Sequence, residues 1–287
     1  MKTALLQLTS SDNPRENLTT VLSLIAEAAE QGAQFICTPE VTNCVSMDRA
    51  LQAAVLNHEE DDQTLAGICA AAKRHSVWVS IGSLALKGGA DERFINRSFL
   101  ISPLGEIAAR YDKIHMFDVQ VNETETYFES SGYAPGSRAI VANAGFAKVG
   151  LTICYDVRFP HLHRALAKAG AQVLLVPSAF SPVTGVAHWK PLLQARAIET
   201  GCYVIAAAQT GSHKAKAGKA RQTYGHSLIV SPWGEVLMDL GVDPTGLQNI
   251  RIVDLNLIEV SKARERIPAL THDRDFSGPE TDESANR

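Results

Sequence analysis

No apolar stretch in these 287 residues approaches the roughly 20 needed to cross a bilayer. The opening Met1-Lys2-Thr3-Ala4-Leu5-Leu6-Gln7-Leu8-Thr9 has too short an apolar run for a signal peptide. Cysteine is scarce: Cys37, Cys44, Cys69, Cys154 and Cys202 are an odd number, widely spaced, without a C-x-x-C pair. That pattern argues against a disulfide framework and against a zinc or dithiol redox centre. Excess charge is missing as well, since 27 Lys and Arg against 31 Asp and Glu leave a formal net charge of -4. Such a balance gives no global attraction to nucleic acid or to anionic membrane. Also absent are a G-x-S-x-G elbow, a G-x-x-x-x-G-K-[ST] loop and an H-E-x-x-H helix. These absences predict a cytoplasmic protein with no metal, no cofactor, no nucleic-acid partner and no membrane partner.

What is present is an ordinary globular composition, 45% hydrophobic and 20% charged, with alternating strand and helix patterns. Residues 2–9 read as a buried strand. Asn13-Pro14-Arg15-Glu16 reads as a helix start, and Leu18, Val21, Leu22, Ile25, Ala26 and Ala29 carry its apolar face to a stop at Gly32. Phe35-Ile36-Cys37 is a strand ending at Thr38-Pro39-Glu40. A helix follows from about 62 to 75, then strands at 77–86, 94–102 and 106–113, with a hairpin turn at Pro103-Leu104-Gly105-Glu106. The second half repeats the theme. A strand over 148–153 ends at Cys154, a helix covers about 161–169, and further strands run over 172–177 and 202–208 around a helix near 187–200. Two hairpin strands flank Ser231-Pro232-Trp233-Gly234, and a last strand lies near 249–255. Alternation of this kind means helices packed on a mixed sheet, an α/β fold. No Pro/Gly/Ser-rich linker divides the halves, so 1–271 reads as one domain and 272–287 as a polar, acid-rich tail.

Three chemically capable residues fall at the ends of predicted strands: Glu40, Lys113 and Cys154. Ligands of α/β proteins bind outside the carboxyl ends of strands, where rigid backbone presents side chains at an open rim. Singly, each has a plainer explanation as turn carboxylate, surface cation or buried thiol. Together their chemistry is interdependent. A thiol needs a cationic or basic neighbour to become a nucleophile, and acyl transfer needs a donor for the oxyanion. Lys113 and the backbone N–H of Tyr155 are the candidate oxyanion donors.

Pro39-Glu40, Tyr111-Asp112-Lys113-Ile114-His115 and Ile153-Cys154-Tyr155-Asp156-Val157-Arg158-Phe159-Pro160 resemble the nitrilase superfamily of carbon–nitrogen hydrolases, in that family's order Glu, Lys, Cys. The resemblance extends through Ala187-His188-Trp189, Ala195-Arg196-Ala197-Ile198-Glu199 and Tyr224-Gly225-His226-Ser227. It implies a four-layer αββα sandwich, a homodimer formed through the helical face, and an amidase using a thioester intermediate on a small carboxylate-bearing amide. The family's second glutamate maps by context to Glu129, with Glu123 and Glu125 as competitors. Within the superfamily, Tyr203-Val204-Ile205-Ala206-Ala207-Ala208-Gln209 followed by Tyr224-Gly225-His226-Ser227 looks more like the branch acting on deaminated glutathione. The ω-amidase branch, which acts on 2-oxoglutaramate, is the alternative. A non-catalytic interaction protein is the alternative from another class, and the intact Glu40, Lys113 and Cys154 set stands against it.

Other features carry plainer readings. His161 and His163 are two apart on a helix and point to different faces, so they make a poor metal pair. Arg158, Arg196 and Glu199 read as structural ion pairs. Trp189 and Trp233 read as packing residues, with His188 and Trp189 as candidate substrate contacts at the pocket rim. The segment His213-Lys214-Ala215-Lys216-Ala217-Gly218-Lys219-Ala220-Arg221 is basic but lacks interleaved aromatics. It reads as a solvated loop, with steering of an anionic small substrate as the alternative.

Overall fold

The computed structural model describes residues 1–121, 123, 125–216, 220–242 and 249–279. Strand β1 (Lys2–Gln7) is buried from its second residue onward, so its side chains divide between two apolar surfaces. Ala4 and Leu6 join one core with Val21 and Ile25 of helix α1 (Pro14–Glu30), while Leu5 joins another with Phe35 and Leu151. Helix α1 starts where its sequence says it should: Asn13 caps the Arg15 amide, Pro14 opens the first turn, and Gly32 follows the end at φ 86°.

The first half continues through β2 (Phe35–Cys37), α2 (Arg49–Val55), α3 (Gln63–His75), β3 (Trp78–Leu86), β4 (Ile95–Ile101) and β5 (Ile107–Asp112). A hairpin, β6 (Asp118–Gln120) and β7 (Thr126–Phe128), leads to β8 (Ile140–Asn143) and β9 (Lys148–Leu151). Then come α4 (Pro160–Lys168), β10 (Val173–Leu175), the single turn α5 (Pro182–Thr184), a π-helical turn at Gly185–Trp189 and α6 (Lys190–Thr200). The chain closes with β11 (Tyr203–Ala206), β12 (Thr210–Ser212), β13 (Gln222–Tyr224), β14 (Leu228–Val230), β15 (Val236–Asp239), β16 (Asn249–Asp254) and α7 (Ile258–Arg266).

Two six-stranded sheets result, in the orders β16-β1-β2-β3-β4-β5 and β15-β14-β11-β10-β9-β8. Both have parallel centres and antiparallel flanks. Helices α1 and α3 cover the first sheet through Val21, Ile25, Leu65 and Ile68. Helices α4 and α6 cover the second through Leu162, Leu166 and Leu193, and the inner faces meet around Leu5, Phe35, Val149 and Leu151. This is the expected αββα sandwich.

Helices α2 and α7, the short turn α5, strand β8 and the β6–β7 and β12–β13 hairpins escaped the sequence pattern. Helix α2 buries only Gln52, and α7 only Val260 and Ala263, so neither has the apolar stripe that marks a helix. The β6–β7 hairpin has three-residue strands of mixed exposure. Of the expected tail, Asp273 pairs with Arg164 and Lys168 of α4, and residues 280–287 lie outside the described residues.

Candidate active site

The four acid, base and thiol residues reach one point from four separate strand ends. Glu40 follows β2 through a turn closed tightly onto β3. A Cβ at Gly82 would stand 2.1 Å from the Thr38 carbonyl oxygen and 2.4 Å from that of Pro39, so only glycine lets the turn settle there. Val41, next in the chain, is held at φ 46°, a strained conformation for a β-branched residue. Lys113 is the first residue past β5 and donates its backbone N–H to the Asn96 carbonyl at 3.0 Å. Cys154 stands at φ 49°, where β9 has ended and a 3₁₀ turn, Cys154–Arg158, begins. Its amide donates to the Pro177 carbonyl at 2.9 Å. Glu129 sits just beyond the β6–β7 hairpin.

Asp156 holds the Cys154 turn. Fully buried, it accepts from the Ile153 amide (2.9 Å), the Tyr111 hydroxyl (2.6 Å) and both the backbone and Nδ1 of His115 (3.1 and 2.7 Å). Tyr111 belongs to the first sheet and Asp156 follows the second, so this carboxylate ties the two sandwich halves beside the thiol. Arg196 adds a bond from α6 to the Val157 carbonyl at 2.8 Å.

Lys113 Nζ donates to Glu40 Oε1 and to both oxygens of Glu129, each at 2.9 Å. Glu40 also accepts from Asn96 Nδ2 (2.9 Å) and from the Ala179 amide (2.8 Å), and Glu129 from the Phe117 amide (2.7 Å). Burial opposes charge at Glu40, but the Lys113 ammonium, with Arg221 further off, holds its carboxyl below the usual range. Burial likewise opposes charge on Lys113, and Glu129, Glu40 and Cys154 more than restore it. The Cys154 thiol is pushed up to about 12, by burial first and by the facing Glu40 carboxylate second. At neutral pH the site therefore holds a neutral thiol beside a carboxylate and an ammonium. That is the arrangement for a thiol that loses its proton to a base as it attacks.

These residues face a cavity of about 260 Å³. Glu40, Asn96, Lys113, Glu129 and Cys154 form part of its lining, with Phe117, Tyr127, Tyr133 and Phe180 as apolar wall. Two more cations reach it, Arg49 and Arg221. Neither forms an ion pair among the described residues. The family model for carbon-nitrogen hydrolases matches residues 2–265, nearly the whole chain.

The chain belongs to the carbon–nitrogen hydrolase family.

Its curated relatives include the deaminated glutathione amidase of Dictyostelium discoideum, 40% identical over 93% of this chain and 91% of that protein. Among solved structures, the C. elegans NitFhit protein superposes with a TM-score of 0.83 at 34% identity. The match covers 95% of this chain but only 65% of that longer protein. An amidase of Nesterenkonia sp. AN1, captured after Michael addition of acrylamide at its active-site cysteine, gives a TM-score of 0.73 at 29% identity. That match covers 93% of this chain and 98% of that one. As a carbon–nitrogen hydrolase, this chain brings Glu40, Lys113, Cys154 and Glu129 together. Glu125 instead bonds Tyr127 and Ser181, and Glu123 is exposed. The Tyr155 amide lies in the first turn after the thiol, where helical N–H groups have no intrahelical partner.

Trp189 packs as expected, but neither it nor His188 reaches the cavity as a substrate contact. Trp189 is fully buried, donating to the His226 carbonyl and packing on Phe180, while His188 is exposed beside Arg158; neither lines the cavity. Successive residues of the π turn point to different sides, so burying Trp189 turns His188 outward. Arg196 pairs with Glu199 at 2.8 Å as expected, but Arg158 lies over the Phe180 ring and forms no ion pair among the described residues. His161 is exposed and His163 buried on the Phe159 carbonyl. Sequence reasoning missed Asn96, Asp156 and Arg49. Only Asp156 had a local signal, its place in the block after Cys154.

Proposed function

We propose that this carbon–nitrogen hydrolase is an amidase acting on deaminated glutathione, with Cys154 as nucleophile, Glu40 as general base and Lys113 as the cation at the reacting carbonyl. The observation that carries this reading is the buried Cys154, Glu40 and Lys113 cluster opening onto a cavity that also holds two arginines. The name of the curated relative supplies the substrate.

Cys154 Sγ attacks the amide carbon while its proton passes to Glu40. One Lys113 N–H serves Glu40 and one is shared by the Glu129 oxygens, so the third meets the oxyanion together with the Tyr155 amide. Glu40 then gives its proton to the departing nitrogen, the C–N bond breaks, and a thioester remains. Water attacks the thioester with Glu40 again taking the proton, and the acid and the free thiol are released. Glu129 does no proton transfer; it fixes the ammonium where the oxyanion forms.

In deaminated glutathione the scissile amide joins a 2-oxoglutaryl group to the amine of cysteinylglycine, so the acid product is 2-oxoglutarate. Release of that acid from deaminated glutathione and from 2-oxoglutaramate tests the reading. A higher kcat/KM on the former is expected. Preference for 2-oxoglutaramate would move the protein to the ω-amidase role, and a folded protein inert on both would favour an interaction role. The protein works as a homodimer. Ile198, Trp233 and Ile267, exposed together beside α6 and α7, support that assembly, and sedimentation velocity checks it.

A further inference from the structure

The reaction scheme leaves the two cavity arginines without a task. Each is held by a neutral acceptor: Arg221 Nη2 donates to the Ala179 carbonyl at 2.7 Å, and Arg49 Nη1 to Gln52 Oε1 at 2.8 Å. Each also lies over an aromatic ring, Tyr127 at 5.9 Å for Arg221 and Tyr133 at 5.0 Å for Arg49. A guanidinium has five N–H donors, so one neutral bond and a ring face leave a fork free for a carboxylate.

Their depths differ. Ala179, whose carbonyl anchors Arg221, gives its own amide to Glu40, so Arg221 stands one peptide unit from the reacting centre. Arg49 is exposed and enters from the first turn of α2. Its guanidinium lies against Gly132, where an added Cβ would come within 2.4 Å of Arg49 Cζ. A side chain on that turn would displace the cation, so the glycine makes room for it.

We propose that the two arginines divide the substrate's carboxylates: Arg221 takes the 2-oxo acid carboxylate of the acyl group, and Arg49 the terminal carboxylate of the departing amine. This rests on the substrate reading above. The acyl carboxylate is only three carbons from the reacting carbonyl and needs a cation close to Cys154. The dipeptide amine is longer and must leave through the mouth, past the exposed cation. Deaminated glutathione and 2-oxoglutaramate form the same thioester, so they differ only in what Arg49 reads.

The experiment compares Arg49→Met, Arg221→Met and Gly132→Ala, each checked for native circular dichroism, by kcat/KM on both amides. A lost charged hydrogen bond corresponds to roughly 10- to 100-fold. Arg221→Met should lower both substrates by about that factor and leave their ratio within about twofold. Arg49→Met should lower the ratio of long to short substrate by tenfold or more, and Gly132→Ala should shift it the same way while keeping the charge. Inhibition by 2-oxoglutarate should weaken in Arg221→Met and hold in Arg49→Met, and inhibition by cysteinylglycine should do the reverse. Equal losses on both substrates in Arg49→Met, or a spared short substrate in Arg221→Met, would overturn the division. If the wild type turns over 2-oxoglutaramate but not deaminated glutathione, the substrate reading and the Arg49 assignment fall. The 2-oxoglutarate inhibition of Arg221→Met then decides the remaining half.

Discussion

At the floor of the cavity Glu40 accepts three hydrogen bonds and Lys113 makes three, all between buried or nearly buried groups. On the cavity wall Arg49, at the mouth, and Arg221, deeper in, each rest on a single neutral oxygen. The floor is over-determined: strained backbone at Val41 and Cys154 persists there because every neighbour fixes it. The wall is under-committed, with cations that can take a carboxylate without breaking an ion pair first. The chemistry common to the family belongs to the first region, and recognition of the substrate's carboxylates to the second.

The largest effect separates the thiols. Cys154→Ala should lower kcat by about 10⁴-fold or more while thermal melting stays near wild type. Cys37→Ala or Cys202→Ala, both core changes, should keep turnover and lower the melting temperature. Wild-type turnover in Cys154→Ala would break the comparison at its root. Next, Lys113→Arg should cost roughly 10²- to 10³-fold in kcat. A planar guanidinium cannot satisfy two carboxylates and an oxyanion from the space of an ammonium. Near-normal kcat there would remove Lys113 from the floor.

A third measurement asks how burial shows itself in pH. His163 and His213 are each held to about 4, first by burial, so the folded protein binds fewer protons than the unfolded chain below the ordinary 6.5. Their contribution is complete above pH 6.5 and is lost as pH falls toward 4, on the order of 3 kcal/mol for each. Denaturant titrations at pH 7 and pH 4.5 should show that loss, and His163→Gln should reduce it. A flat profile would contradict the burial of both rings. The smallest effect belongs to the basic segment. Lys214 and Lys216 are exposed and do not line the cavity, and Lys219 lies outside the described residues. Neutralising all three should change kcat/KM for the dianionic substrate by less than about threefold, and salt should erase the difference. A larger, salt-resistant loss would extend the mouth beyond Arg49.

Glu40, Lys113 and Cys154 were legible because each follows a strand, and a strand end can be read from local pattern. Glu129 was legible only through its family context, since the hairpin that delivers it has no strong periodicity. Asn96 was invisible: it sits in a strand, reads as one of three consecutive polar residues, and acquires meaning only from Glu40, 56 positions away. The bond from Tyr111 to Asp156 spans 45 positions and joins two sheets, which no window along the chain can register. Arg49 lay in a helix without an apolar stripe, and Trp189 kept the packing role read for it while the π turn took it away from the rim.

Strand β1 pairs with β3's side of its sheet only through β2; its other edge is taken by β16, with Lys2 opposite Asp254, and the terminal ammonium is bonded to Asp254. During synthesis at roughly 5–20 residues per second, the partner for that edge follows about 10–50 s after β1 itself. For that interval Ala4, Leu5 and Leu6 form a strand with a naked hydrogen-bonding edge, open to pairing with another nascent chain. A strand made late thus seals one made early, and truncations before Asn249 should aggregate rather than fold with reduced stability.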